Sequence, residues 1–220
     1  VIVVQCEQGT AEWYAARLGI PTASSFSQIV TTLGKPSKSA DGYMRRLLAE
    51  HFIGEPAEAQ ASQFMQRGTH MEKAARARYA MEKDVDVQTV GFCLRDDRLA
   101  GCSPDGLVGD DGLVELKCPS AAVHVGYLLD GLEGEYWTQV QGQLLITGRA
   151  WCDLCAFNPA LPPVIKRIER DEDFLEILSA ALDTFIEQMK VRRTALVALG
   201  CTPATLKILP GMLAIDERPF

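Results

Sequence analysis

The segment Ser103-Pro104-Asp105-Gly106, followed by Leu113-Val114-Glu115-Leu116-Lys117-Cys118-Pro119, carries the residues best suited to chemistry. In a strand, alternate side chains share a face, so Glu115 and Lys117 point one way while Val114 and Leu116 point the other. Asp110-Asp111-Gly112 is a turn signal, so Asp105 sits across a hairpin-length connection and can come alongside Glu115. Two carboxylates converging on one ammonium suit a hard divalent cation, Mg²⁺ with Mn²⁺ as a substitute, whose octahedron water and substrate complete. A phosphate diester is the substrate such a centre serves: the cation offsets developing charge and acidifies a bound water, and the lysine orients or deprotonates that water. By itself the pattern Asp-x9-Glu-x-Lys also describes an exposed hairpin with an acidic turn. Asp110 and Asp111 read as turn formers, and a calcium loop is excluded because its D-x-[DN]-x-[DN]-G spacing is missing.

Three further segments add weight. Arg67-Gly68-Thr69-His70-Met71-Glu72 places an acid one turn into a helix, with Arg76 four residues on as a ready ion-pair partner. Glu135-Tyr136-Trp137-Thr138-Gln139-Val140-Gln141-Gly142-Gln143 puts Gln139 and Gln143 on one helical face. Trp13 to Ser24 joins Arg17 to a helix start, a natural place to hold a phosphate. With Glu7-Gln8-Gly9-Thr10 included, these segments resemble the lambda-exonuclease (YqaJ-type) family of phage recombination nucleases, within the wider PD-(D/E)xK nuclease fold. The resembling part runs from Glu7 to about Pro159.

The resemblance implies Asp105 and Glu115 as metal ligands, with the Leu116 carbonyl completing the protein set. It implies Lys117 as the catalytic lysine, Glu72 as a supporting acid, and Gln139 as a helper near the scissile group. Arg17, Ser24 and Ser103 would hold the terminal 5′-phosphate. The implied activity is degradation of the 5′-ended strand of linear double-stranded DNA, leaving 3′ single-stranded tails for recombination. A homotrimeric ring around the duplex, a phage single-strand annealing protein as partner, and a bacterial-host or prophage origin come with it. Two other readings keep the nuclease scaffold: endonuclease or Cas4-like action, the Cas4 version weakened by the lack of a four-cysteine cluster, and a non-catalytic DNA-end binder. A third is a structural domain with an acidic hairpin.

Apolar residues make up 47% of the 220-residue chain and charged residues 23%, which excludes disorder and fibrous rods and fits a single domain over 1–220, a nuclease domain as the resemblance implies. No apolar run approaches the length of a membrane span, and no leader pattern opens the chain. Seven scattered cysteines suggest a reduced cytosol and therefore a cytoplasmic protein. Cys152 and Cys155 form a CxxC with no second cluster, which reads as a pair of structural cysteines on a buried strand. The chain starts without Met, so residues before Val1 are expected to be missing. A formal charge of −7 opposes polyanion binding. A ring relieves that conflict, because only an inner wall, here Lys35, Lys38, Arg45 and Arg46, needs to be basic.

Periodicity supplies the elements that must position these groups. Thr10 caps a helix over Ala11 to Leu18, and Thr22 to Ser25 opens a second with Phe26, Ile29 and Val30 inward. Tyr43, Met44, Leu47, Leu48 and Phe52 mark a third, and Phe64 to Lys83 a longer one with Met71, Ala74, Ala75 and Tyr79 as its apolar face. Strands are predicted at Val85 to Cys93, Leu99 to Cys102, Leu113 to Cys118 and Trp151 to Phe157, with a helix from Trp137 to Ile146. Asp171 caps a last helix whose stripe includes Phe174, Ile177, Leu178, Leu182, Phe185 and Met189. The sum is a mixed α/β fold, and the resemblance implies a PD-(D/E)xK nuclease core with a central mixed β-sheet flanked by helices.

Overall fold

The computed structural model describes residues 1–56 and 63–204, with no side-chain description for 63–70 or for Glu133. Among the described residues eight strands run in chain order: β1 Ile2–Val4, β2 Val87–Gln88, β3 Phe92–Leu94, β4 Gly101–Cys102, β5 Gly106–Val108, β6 Gly112–Lys117, β7 Trp151–Ala156 and β8 Val164–Glu169. The α-helices are α1 Ala11–Arg17, α2 Ala40–Ile53, α3 Gln63–Lys83, α4 Ala121–Asp130, α5 Glu133–Thr147 and α6 Glu172–Ala198, and Ala23–Gln28 forms a 3₁₀ helix.

The central sheet has the order β2-β5-β6-β7-β8, with β6 and β7 parallel and every other pair antiparallel. A parallel pair needs a crossover, and α4 with α5 supplies it. Strand alternation then sorts β6 between two layers. Leu113 packs with Val140 and Leu144 of α5, whereas Val114 and Leu116 pack with Ala75 and Tyr79 of α3. Glu115 and Lys117 therefore face α5. A small second sheet, β1-β3-β4, lies beside the first. Between them the 3₁₀ helix, α2 and α6 close a third cluster around Phe26, Met44, Leu47, Leu178, Leu182 and Phe185.

Local chemistry explains the element ends. Thr10, Ser120 and Asp171 each accept a backbone N–H three residues on, at the starts of α1, α4 and α6. Gly54 and Gly148 close α2 and α5 with positive φ. Asp110 and Asp111 lie exposed in the β5–β6 turn, as expected of turn formers. Cys152 and Cys155 are buried on β7 but belong to clusters on opposite faces, so they cannot grip one metal.

Several elements differ from the sequence expectation. Thr22 to Ser25 opens a 3₁₀ helix rather than an α-helix. The strand expected from Val85 to Cys93 is two strands in different sheets. The break falls at Gly91, where any Cβ would lie 2.3 Å from the Cys6 carbonyl oxygen. Strands β1 and β8 and helix α4 were not anticipated. Ala74 is exposed, so Ala75 and Tyr79 carry the inner face of α3. On α6, Ile177 is 45% exposed and Leu175 takes the inner position. The side chains of Phe64, Arg67 and His70 lie outside the described residues.

One close approach sets the distance between α5 and the 3₁₀ helix. A Cβ on Gly142 would sit 2.5 Å from the fully buried Phe26 ring. Gly142→Val is expected to lower stability by about 1–3 kcal/mol through overpacking, measured by chemical denaturation. Unchanged stability would show that this spacing is not constrained.

Candidate active site

The β5–β6 hairpin brings the acids together. Asp105 lies one residue before β5, and its Oδ2 accepts the Leu116 backbone N–H at 2.6 Å. Glu115, 4% exposed, accepts from Lys117 Nζ at 2.8 Å and Gln139 Nε2 at 2.5 Å on Oε1, and from Gln143 Nε2 at 2.6 Å on Oε2. Lys117 Nζ also donates to Gln139 Oε1 at 3.2 Å and stands 4.4 Å from the centre of the Tyr136 ring. The Tyr136 hydroxyl meets that of Tyr127 at 2.9 Å. Helix α5 thus faces the acidic strand with a row of donors one turn apart.

These contacts set the electrostatics. Burial, then the Glu115 charge, pushes the Asp105 carboxyl well above the usual carboxylate range, with Glu72 adding to the shift. Burial disfavours the Lys117 ammonium, but the Glu115 charge and hydrogen bond, with Asp105, outweigh it and raise its pKa. Glu72 forms a close ion pair with Arg76, the partner its spacing suggested.

A second set of groups lines a cleft of about 180 Å³ beside this centre: Gln8, Trp13, Arg17, Thr22, Ser24, Ser103, Gln139 and Gln143. The Arg17 guanidinium lies 3.9 Å over the Trp13 ring, and Trp13 Nε1 donates to Ser103 Oγ at 2.8 Å. Burial lowers the Arg17 pKa, but a guanidinium stays charged. Among the described residues no carboxylate pairs with it. Ser24 is exposed at the rim, with its hydroxyl 3.3 Å from that of Thr22.

All nine residues singled out in the sequence therefore fall into two adjoining groups. Asp105, Glu115, Leu116, Lys117, Gln139 and Glu72 surround the hairpin, and Arg17, Ser24 and Ser103 share the cleft with Gln139. Sequence reasoning missed Gln143 as a partner of Glu115, although its four-residue spacing from Gln139 was the signal. It also missed Gln8, which donates to the Val90 and Pro104 carbonyls, and Tyr136 under Lys117.

The donor set fits a divalent cation held by oxygen. Among the described residues no three His, Cys, Asp or Glu side chains gather around one point. Mg²⁺ does not require that, because it is held by one or two carboxylates and keeps several waters. The Lys117 carbonyl bonds Phe157 N–H on the β7 side, while Leu116 N–H turns to Asp105. The N–H and C=O of one strand residue leave by the same edge, so the Leu116 carbonyl faces the Asp105 side. The buried Gln143 Oε1 has no hydrogen-bond partner among the described residues, an acceptor that an ordered water would satisfy.

A mixed sheet flanked by helices, with this hairpin at its centre, is the fold of an exonuclease. A family model described as the YqaJ-like viral recombinase domain matches residues 12–150, and the chain belongs to that family. It is similar to LHK-Exo, an alkaline exonuclease from Laribacter hongkongensis, at 35% identity and a TM-score of 0.79, over 87% of this chain and 98% of that one. LHK-Exo in complex with dAMP matches at 34% identity and a TM-score of 0.78, with the same coverage. A phage-related exonuclease from Haemophilus somnus 129PT shares the fold, at 14% identity and a TM-score of 0.56 over 79% of this chain and 96% of that one. No curated protein matches significantly. Among the described residues no helix is long and apolar enough to cross a membrane.

Because ionising Asp105 costs the fold more than the unfolded chain, replacing it by a neutral side chain should stabilise the protein. A carboxyl whose folded pKa is raised opposes folding above its unfolded pKa, and the penalty fades as pH falls. Asp105→Asn, which can still accept the Leu116 N–H, is expected to melt above the parent at pH 8 without metal, and the gain should shrink toward pH 4. A lower melting point at pH 8 would contradict the charge assignment.

Proposed function

We propose that the protein is a Mg²⁺-dependent exonuclease acting from the 5′ ends of linear double-stranded DNA and leaving 3′ single-stranded tails. The observation that carries this reading is the convergence of Asp105, Glu115 and Lys117 beside a cleft containing Arg17, Ser24 and Ser103. Its similarity to LHK-Exo, solved with dAMP bound, supports a nucleotide substrate.

In this reading Asp105, Glu115 and the Leu116 carbonyl hold the cation, which supplies charge neutralisation at the phosphate and a more acidic water. The Leu116 N–H and the Gln139 and Gln143 amides fix the two carboxylates, so little reorganisation is left for the reaction. Lys117, held between Glu115, Gln139 and the Tyr136 ring, orients the attacking water and manages its proton. Glu72 adds negative potential near Asp105. Arg17, stacked on Trp13, takes the terminal 5′-phosphate with Ser24 and Ser103.

The chain would act as a single nuclease domain in the cytoplasm of a bacterial host, with a phage single-strand annealing protein downstream. A homotrimeric ring reconciles the charge of −7 with a polyanionic substrate. Arg45, offered for its inner wall, is exposed but paired with Asp41 at 2.6 Å, so Lys35 and Lys38 would carry more of that role. The non-catalytic alternative leaves an intact acid–acid–lysine set unexplained.

Asp105→Ala and Glu115→Ala are expected to abolish Mg²⁺-dependent digestion of end-labelled linear duplex. Lys117→Ala should keep cation binding but lose about 10²-fold or more in rate. Full activity in either carboxylate variant would overturn the metal centre. On 5′-phosphorylated against 5′-hydroxyl ends, the parent should prefer the former, and Arg17→Ala should lose that preference at a cost of about 1.5–3 kcal/mol of end affinity. Equal rates on both ends for the parent would remove Arg17 from this role.

A further inference from the structure

Arg76 belongs to neither group of assigned residues, yet it touches two of them. Its Nε donates to the Asp105 carbonyl oxygen at 3.1 Å, and its terminal nitrogen pairs closely with the Glu72 carboxylate. Both side chains are largely buried, at 21% exposure for Arg76 and 28% for Glu72. The β5–β6 ladder begins at Gly106 opposite Val114, so Asp105 lies just outside the regular pairing. Its backbone carbonyl is fastened by Arg76, the preceding Pro104 carbonyl by Gln8 Nε2 at 2.9 Å, and its carboxylate by the Leu116 N–H.

The support behind Arg76 is rigid. One turn further along α3, the fully buried Tyr79 donates its hydroxyl to Asp153 on β7 at 2.8 Å. Asp153 is also held by Arg167, at 2.8 Å on Oδ1 and 3.0 Å on Oδ2. A chain of bonds therefore runs from the central sheet through α3 and Arg76 to the backbone of the Asp105 segment.

We propose that Arg76 is a positioning residue, which sets the place of the Asp105 carboxylate through its carbonyl and so prepares the cation site before metal or DNA arrives. This inference rests on the metal-centre reading and deepens it. The plain alternative is that Arg76 only neutralises Glu72. The two ideas predict opposite signs. Removing a cation near two carboxylates strengthens their attraction for a divalent ion. Removing a group that orients a ligand weakens binding, typically by 10–100-fold for a partner outside the ligand set.

The test is Mn²⁺ binding by the whole chain without DNA, read from the free-ion signal in electron paramagnetic resonance. The proteins compared are the parent, Arg76→Gln, Arg76→Lys, Glu72→Gln, the Glu72→Gln/Arg76→Gln double variant and Asp105→Asn. Melting curves identify any variant that fails to fold. Arg76→Gln is expected to weaken Mn²⁺ binding about tenfold or more, and to do so equally when Glu72 is already Gln. Arg76→Lys keeps the charge but not the planar fork that serves two acceptors, so it should recover only part of the loss. Binding by Arg76→Gln that matches or exceeds the parent would overturn the proposal. So would full rescue by Arg76→Lys, or a loss that disappears in the Glu72→Gln background. If Arg76→Gln does not fold, Arg76→Lys decides, with parent-like affinity counting against the proposal. Undiminished binding by Asp105→Asn would instead remove the metal centre, and this inference with it. Loss of binding in Asp105→Asn beside normal binding in Arg76→Gln would remove this inference alone.

Discussion

Two carboxyl groups are brought near one another at the end of a hairpin, and burial makes the charge on Asp105 costly. Asp105 registers that cost directly, through burial and the Glu115 charge. The surrounding structure acts to sustain the arrangement. A backbone N–H bonds Asp105, two glutamine amides and an ammonium bond Glu115, and the ammonium is itself held by Gln139 and the Tyr136 ring. Hydrogen bonds to charged groups are stronger than neutral ones, so each of these donors helps to keep a poor electrostatic geometry in place. A divalent cation would relieve the remaining repulsion.

The elements that deliver those donors are rigid and meet closely. Strand β6 sits in the middle of the sheet and sends Glu115 and Lys117 toward α5, while its other face is filled by Ala75 and Tyr79 of α3. Helix α5 comes so near the 3₁₀ helix at Gly142 that Gln139 and Gln143 share a cleft with Ser24 and Arg17. The acidic centre and the anion-ready cleft are therefore joined through the same helix. Sites set on helices and strands hold their geometry better than sites on loops.

The hairpin was legible in the sequence because its logic is local. Strand parity puts Glu115 and Lys117 on one face, and Asp110-Asp111-Gly112 closes the turn that returns Asp105 to Leu116. The pairing of Glu72 with Arg76 was legible for the same reason, being four residues apart on a helix. Contacts that depend on the path of the chain were not. Gln8 bonds carbonyls more than eighty residues away, and although its segment carried part of the resemblance, nothing local gave the side chain these partners. Gln143 shared a face with Gln139, but its bond to Glu115 exists only because the crossover lays α5 over β6. The single strand expected through Gly91 failed because a glycine there lets the chain approach the end of β1 closely and join its sheet, which periodicity does not reveal. Edge strand β8 escaped notice because its side chains do not alternate cleanly between core and solvent.

The central claim is that Asp105, Glu115 and the Leu116 carbonyl form one cation site. Anomalous X-ray diffraction from crystals of the protein grown with Mn²⁺ tests it most directly. An anomalous peak is expected within coordination distance of all three oxygen donors, about 2.0–2.2 Å for ions of this size. Mn²⁺ bound elsewhere, with Asp105 and Glu115 carrying none, would contradict it.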